Sequence, residues 1–203
     1  MRILYLTGFL LLLALACTEQ YTPKPRGYFR IDFPEKAYRS FDSAFPYAFE
    51  YPVYAAIESD SSMMAEPWWI NIRYRPFNAT LHLSYKVIRG NLAGYLEDAR
   101  TLVNKHIPKA SAITQREFAD PGTGVYGLVY EIRGADAASP CQFYLTDSAT
   151  AFVRGALYFN QQPNNDSLAP VIDFLKKDIE HMINTFRWKK PGSHSPIKTS
   201  RHD

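Results

Sequence analysis

Hydrophobic and polar residues alternate along much of this chain, and the alternation predicts β-strands. In TLHLSYKVI (80–88), Leu81 and Leu83 point to one side while His82 points to the other. A period of two indicates a strand with one buried face. Similar segments predict further strands at 27–33, 68–74, 113–118, 125–133, 141–147 and 151–159.

Two other segments repeat their apolar residues at helical spacing. The first follows Asn91, which we expect to be the N-cap, and ends before Pro108. The second begins at Asp166-Ser167, either of which can cap it, and its apolar stripe runs to Phe186. Strands, a helix, more strands and a last helix predict an α+β fold, with a mainly antiparallel β-sheet packed with two principal helices.

The N-terminus has the pattern of a secretory signal. One charged residue, Arg2, precedes an uncharged apolar run over residues 3–16. As a helix this run would reach about 21 Å, which is short of the roughly 30 Å hydrocarbon layer of a bilayer. A short apolar run with small residues before a cleavage point is typical of a signal peptide. We therefore expect cleavage after Ala16.

The segment LALAC places Cys17 directly after that cleavage point, as in a bacterial lipoprotein box. In such a box the Cys receives a diacylglycerol and becomes the first residue of the mature chain. Because each buried acyl methylene contributes about 0.8 kcal/mol, several acyl chains on Cys17 would hold the protein at a membrane surface. The alternative is an ordinary signal peptide followed by a cysteine without that role.

Cysteine usage and charge exclude several classes of protein. The chain has 2 cysteines, so lipidation of Cys17 leaves Cys141 without a disulfide partner and excludes a cysteine zinc cluster. Cys141 alternates with Phe143, which predicts a small buried residue. The 23 basic and 20 acidic residues nearly balance, and the basic excess lies in the tail KKPGSHSPIKTSRHD. A nucleic-acid binder carries its basic stripe on the folded body, so we expect no nucleic-acid partner.

The composition shifts predict four regions. They are a lipoprotein signal peptide (1–16), a Pro-rich tether (17–26), a single globular α+β domain (27–189) and a disordered basic tail (190–203). A domain of this size buries enough surface to fold without disulfides or metals.

The segment QFYLTDSATAFVRGALYF (142–159) has the residue types of an active site, with Asp147 and Ser148 adjacent and Arg154 nearby. Asp and Ser also favour tight turns, because their side chains accept hydrogen bonds from nearby backbone N–H groups. A serine nucleophile needs a base, and no histidine is close in sequence. We interpret the segment as a β-hairpin.

Other catalytic signals are absent from the sequence. The 5 histidines form no HExxH pair, and there is no GxSxG, phosphate-binding loop or dinucleotide fingerprint. We therefore predict no catalytic residue, no metal ligand and no cofactor.

Aromatic residues are abundant, at 15%. Most are expected to fill the core of a sheet protein. The alternative is that some line an exposed face that binds a partner, since Trp, Tyr and Arg are frequent interface anchors. The candidate interaction residues are Trp69, Arg73 and Arg154.

Several segments taken together resemble the gliding-motility-associated lipoprotein GldD family of Bacteroidota. They are RGYFRIDFPEKAY (26–38), LSYKVI (83–88), QFYLTDS (142–148), RGALYFN (154–160), PNNDSLAPVIDFL (163–175) and TFRW (185–188). The resemblance runs from Cys17 to Lys189, and the order of elements is similar to the Mog1/PsbP-type sandwich, an analogy of fold alone.

The resemblance implies a lipid-anchored protein of the cell envelope that faces the periplasm, with the inner and outer membranes as alternatives. It implies a non-enzymatic assembly or stability factor of the gliding motility and type IX secretion machinery, with other envelope proteins as partners. Only Cys17 carries over as a functional position. The alternative is a periplasmic small-molecule binding module or cryptic enzyme, for which Arg154 and Asp147 would converge in a deep pocket.

Overall fold

The computed structural model describes residues 31–189. The predictions for the signal peptide, the Ala16 cleavage site, the Cys17 lipidation site, the tether and the basic tail lie outside these residues.

Ten strands and two α-helices follow one another along the described part of the chain. The strands are β1 (Tyr38–Phe41), β2 (Tyr47–Pro52), β3 (Ala56–Ser59), β4 (Ile70–Tyr74), β5 (Ala79–Val87), β6 (Ala112–Asp120), β7 (Val125–Arg133), β8 (Cys141–Thr146), β9 (Ala151–Phe159) and β10 (Arg187–Trp188). The helices are α1 (Leu92–Asn104) and α2 (Asn165–Asn184), and two short 3-10 turns lie at Arg75–Phe77 and Ile107–Lys109.

The strands form one large and one small antiparallel sheet. The large sheet has seven strands in the order β3-β4-β5-β9-β8-β7-β6, and the small one has the order β1-β2-β10. Every strand pair is antiparallel. The predicted fold class, α+β with a mainly antiparallel sheet and two principal helices, is confirmed.

One face of the large sheet is apolar and packs against α2; we call it the α2 face. Leu81, Phe143 and Leu157 lie on it and are fully buried. Each such side chain contributes roughly 1.5–3 kcal/mol by leaving water. Gly155 gives the Phe143 ring its space, because a Cβ atom at that position would lie 2.1 Å from the ring. The ion pair between Lys176 of α2 and Glu131 of β7, at 2.6 Å, joins the helix to the sheet.

The opposite face of the large sheet, which we call the polar face, carries Asn71, His82, Gln142, Arg154 and Tyr158. The strand register places these residues on one face. Asn71 lies opposite His82, and Ala156 lies opposite both His82 and Gln142. Arg154 and Tyr158 lie two positions to either side of Ala156 on β9, so they point to the same side.

Helix α1 covers the part of the polar face that β7, β8 and β9 form. Val103 packs with Tyr130 and Ile132, and Ala99 packs with Phe152. Beyond this contact the polar face continues across β9, β5 and β4 as polar side chains, most of which stay partly exposed.

The small sheet contributes an aromatic cluster to the core. Tyr47 and Phe49 of β2 are fully buried and stack on Phe186, at centroid distances of 5.7 and 6.3 Å. These rings fill the core, as the sequence analysis expected for most of the aromatic residues.

Two local predictions were wrong in detail. Residues 31–33 of the predicted strand 27–33 adopt neither strand nor helix, and β1 begins only at Tyr38, after Pro34. Pro34 has no N–H for a strand ladder. Helix α2 is capped by Asn164, whose side chain accepts a hydrogen bond from the Ser167 N–H at 3.4 Å, so neither Asp166 nor Ser167 is the cap.

Candidate functional site

The hairpin predicted at 142–159 is confirmed, and Asp147 builds its turn. Asp147 Oδ1 accepts hydrogen bonds from the backbone N–H groups of Ala149, Thr150 and Ala151 at 2.9, 2.7 and 2.9 Å. Ser148 adopts the left-handed conformation with a φ of 67°. Burial acts to raise the pKa of Asp147, but hydrogen bonds from the Thr150 hydroxyl and the three N–H groups outweigh it and lower the pKa. The aspartate is therefore engaged in the turn.

Arg154 does not converge with Asp147. Its guanidinium donates a hydrogen bond of 2.5 Å to Oε1 of Gln142, on the neighbouring strand β8. A further hydrogen bond with Tyr158, four residues along β9, favours the charged form of Arg154. Gln142 is itself 1% exposed, so its amide is held in a fixed position.

Two histidines extend this network in opposite directions along the polar face. Gln142 donates from Nε2 to Nε2 of His106, which follows helix α1, at 2.8 Å. On the other side, the His82 ring meets the Tyr158 ring edge-on at 5.8 Å, and His82 Nδ1 lies 2.7 Å from Oδ1 of Asn71. The result is a continuous row of polar groups from α1 to β4.

The charges in this row are unbalanced. Burial lowers the pKa of Arg154, yet a guanidinium stays protonated at any pH that a protein tolerates. Burial also lowers the pKa values of His82 and His106, and the positive charge of Arg154 lowers both further, whereas Asp60 acts in the opposite direction on His82. At neutral pH the row therefore contains one cation and two uncharged imidazoles.

No carboxylate within residues 31–189 forms an ion pair with Arg154. Its two side-chain partners are an amide oxygen and a phenol. A partly buried charge without a carboxylate partner is unusual, because buried charges are generally paired.

The other two candidate interaction residues lie on the same side of the sheet as Arg154. Arg73, on β4, is exposed and pairs with Glu58 of β3 at 3.1 Å. Trp69 precedes β4, and its indole N–H donates to the Tyr85 carbonyl at 2.8 Å. The Lys86 ammonium lies 5.2 Å from the centroid of the Trp69 ring and also pairs with Glu66.

A second polar cluster, which sequence reasoning missed, surrounds the fully buried Asp178 of α2. Lys36 donates to Asp178 Oδ1 at 2.5 Å and Tyr38 donates to the same oxygen at 3.0 Å, while Tyr54 donates to Oδ2. Lys36 also donates to the Phe174 carbonyl at 2.9 Å. We call these residues the Asp178 cluster. No sequence signal links them, because Lys36 and Asp178 lie far apart in the chain.

Two cavities in the described part of the chain do not include Arg154 in their lining. One of about 560 Å³ lies between α2 and β7 and includes the paired Glu131 and Lys176 in its lining. Another, of about 480 Å³, lies beside Trp69 and is lined also by Phe45 and Asp60.

Within residues 31–189 no group of three or more His, Cys, Asp or Glu side chains is placed to hold a metal ion. No helix in that same range combines the length and apolar character needed to cross a bilayer.

Comparison with known proteins identifies a family and a structural neighbour. The chain is similar to the solution structure of cyanobacterial PsbP (CyanoP) from Synechocystis sp. PCC 6803, with a TM-score of 0.47 and 10% sequence identity over 77% of this chain and 95% of that chain. No curated protein matches the chain. The family described as gliding motility lipoprotein GldD matches residues 18–188.

This match confirms the resemblance drawn from the sequence. It associates the chain with gliding motility, and the lipoprotein description indicates a location anchored at the cell envelope. The chain belongs to the gliding motility lipoprotein GldD family.

Proposed function

We propose that this chain is a non-enzymatic assembly and stability factor of the gliding motility and type IX secretion machinery. Acyl chains on Cys17, palmitate among them, hold it at the membrane on the periplasmic side. Its folded domain docks on other envelope proteins through the polar face. Nucleic acid is not a partner in this proposal.

The observation that carries the proposal is the row of polar groups around Arg154. It lies on a partly exposed sheet face, with Arg73 and Trp69 on the same side. Arg and Trp are frequent anchors of protein interfaces because they combine a large contact area with specific hydrogen bonds. The row has no nucleophile paired with an activating base, since its histidines bond to the amides of Asn71 and Gln142.

The membrane part of the proposal is tested by Cys17→Ser. Two or more acyl chains anchor a protein stably, whereas a chain without them stays in solution unless another contact retains it. We expect the variant to lose metabolic labelling by palmitate and to partition into the soluble periplasmic fraction. Continued labelling, or full retention in washed membranes, would contradict the lipid anchor.

The docking part is tested by purification of a tagged full-length chain from detergent-solubilised membranes. Arg73→Glu should reduce the recovery of envelope proteins, because it reverses a charge on the docking face. The matched control is Arg116→Glu, since Arg116 is also exposed and pairs with a glutamate, Glu180 of α2, but lies on the α2 face. Equal recovery from both variants, or no envelope partner for the unchanged chain, would count against docking at the polar face.

The alternative function is a small-molecule binding module, and the cavity between α2 and β7 favours it. Its charged lining would suit a polar ligand. Lys176→Met would abolish binding of such a ligand and impair gliding while leaving the recovery of envelope partners unchanged. The docking proposal predicts that the same variant glides normally.

A further inference from the structure

No carboxylate of the described domain pairs with the positive charge of Arg154. Its guanidinium has five N–H donors, and the domain provides only Gln142 Oε1 and Tyr158 as side-chain acceptors. Removing a charge from water is costly unless an opposite charge and good hydrogen bonds compensate for it. Arg154 is nevertheless only partly covered, so a group from outside can reach it.

The neighbours of Arg154 keep its position fixed without neutralising it. Gln142 is held from the other side by His106 at 2.8 Å and is 1% exposed. Ser84, directly opposite Arg154 on β5, is small and leaves room above the sheet. A guanidinium that is ordered before binding loses little conformational entropy when it binds.

Other basic residues of the polar face already pair with glutamates, which limits the negative charge that the face would attract from a partner. Arg73 and Lys86 are paired with Glu58 and Glu66 within the domain. Glu58 also pairs with Arg75, so these two exposed arginines share one carboxylate, whereas Arg154 is the partly buried cation of this face that no described carboxylate pairs. A phosphate group carries close to two negative charges and is generally bound by several basic residues, whereas a carboxylate carries one and fits the fork of a single arginine.

We infer that Arg154 is the anchor for one carboxylate of a protein partner, supplied by an Asp or Glu side chain or a C-terminus. This inference rests on the proposed docking function and adds the chemistry of its central contact. Gln142 and His106 are positioning residues that hold the guanidinium, and Trp69 and Arg73 form the edge of the contact.

The first test measures the site directly, by NMR on the full-length chain in detergent micelles. Aspartic acid capped as N-acetyl-aspartate amide is the probe, and N-acetyl-asparagine amide is its neutral control at the same ionic strength. We expect the carboxylate alone to shift the Arg154 Nε–H signal saturably and to raise the pKa values of His82 and His106. Arg154→Met should abolish the response.

Two results of this titration would overturn the inference. One is the absence of a saturable response to the carboxylate. The other is tighter binding of inorganic phosphate than of the carboxylate, which would assign the site to a phosphate group.

The second test places a carboxylate inside the domain. Gln142→Glu has almost the same shape as the native residue and gives Arg154 an internal partner. We expect it to raise the midpoint of thermal unfolding and to reduce the recovery of the envelope partner at least tenfold. Arg154→Lys, which keeps the charge but loses the planar fork, should retain part of the recovery.

The outcomes separate this inference from the docking function. If the unchanged chain recovers a partner and Gln142→Glu recovers it equally well, the carboxylate contact is wrong and docking stands. If the unchanged chain recovers no partner while the capped aspartate still binds at Arg154, docking to an envelope protein is wrong and the carboxylate site stands.

Discussion

Lys36 and Arg154 are both cations partly removed from water, but the domain treats them differently. Lys36 lies within 2.5 Å of a fully buried carboxylate, Asp178, and its ammonium also lies 3.3 Å from the centroid of the Phe174 ring. Arg154 has an amide and a phenol as its side-chain partners. The first arrangement is complete within the fold. The second lacks an anion, which is why we place a partner there and not at Lys36.

The pKa shifts agree with this contrast. Burial lowers the pKa of Lys36, but its hydrogen bond to Asp178 and the charge of Asp178 oppose that shift. Burial, followed by the charge of Asp178 and its hydrogen bond, raises the pKa of Tyr38 to about 12. For Arg154 burial also lowers the pKa, and no carboxylate opposes it among the described residues.

Breaking the Asp178 cluster is expected to have the largest effect, which is a loss of stability. Asp178→Asn removes the charge that Lys36 faces and should lower the free energy of unfolding by about 3 kcal/mol. Thermal or urea unfolding of the detergent-solubilised chain measures it. Asp173→Asn, on the exposed side of the same helix, is the control and should change stability by less than about 0.5 kcal/mol. Equal effects of the two variants would contradict a structural role for the cluster.

Arg154→Met should leave the free energy of unfolding within about 1 kcal/mol of the unchanged chain, because it removes a charge that the domain does not compensate. The same variant should nevertheless lose gliding. Unfolding curves and gliding speed at matched protein levels check the two halves of this prediction. A loss of stability as large as that of Asp178→Asn would make Arg154 a structural residue.

The histidines report the charge of Arg154. Arg154→Met should raise the pKa values of both His82 and His106, because the positive charge of Arg154 lowers both. Arg73→Met should raise only that of His82, since Arg73 acts on His82 and not on His106. NMR titration of the imidazole signals distinguishes the two patterns. Unchanged pKa values of His82 and His106 in Arg154→Met would show that the Arg154 guanidinium does not lie close to these two rings.

The smallest expected effect is on the pH dependence of stability. Because burial lowers the pKa of His82 in the folded state, the unfolded chain takes up the proton first as the pH falls through 6.5. The contribution of neutral His82 to stability is therefore complete above pH 6.5 and declines below it. His82→Asn, which keeps a side-chain N–H towards Asn71, should lose less stability than the unchanged chain between pH 7.5 and 5.5. A steeper decline of stability in the variant would contradict the predicted effect of His82 on the pH dependence.

Much of the large sheet could be predicted from the sequence. Strands β7 and β9 match the segments 125–133 and 151–159, because the period of two is strong wherever one face of a strand is apolar and the other carries polar groups. Strand β2 escaped prediction because Tyr47, Ala48 and Phe49 are all buried, so its sequence does not alternate. Strand β10 has two residues, too few to show a period.

The candidate site was only partly predictable. The sequence could suggest Arg73 and Arg154 because arginine is a frequent interface residue. The contact between Arg154 and Gln142, however, appears only when the register of β8 and β9 is known. The Asp178 cluster joins Asp178 to Lys36, 142 positions away, and no local pattern encodes such a pairing.

Photo-cross-linking in intact cells tests the central claim most directly. A photo-reactive amino acid at position 84, opposite Arg154 on β5, should cross-link to an envelope protein. The same amino acid at position 177, exposed on α2, is the control and should not. We predict that Arg154→Met abolishes the cross-link from position 84 at unchanged protein level. An equal cross-link with and without Arg154 would contradict the claim that a partner completes this site.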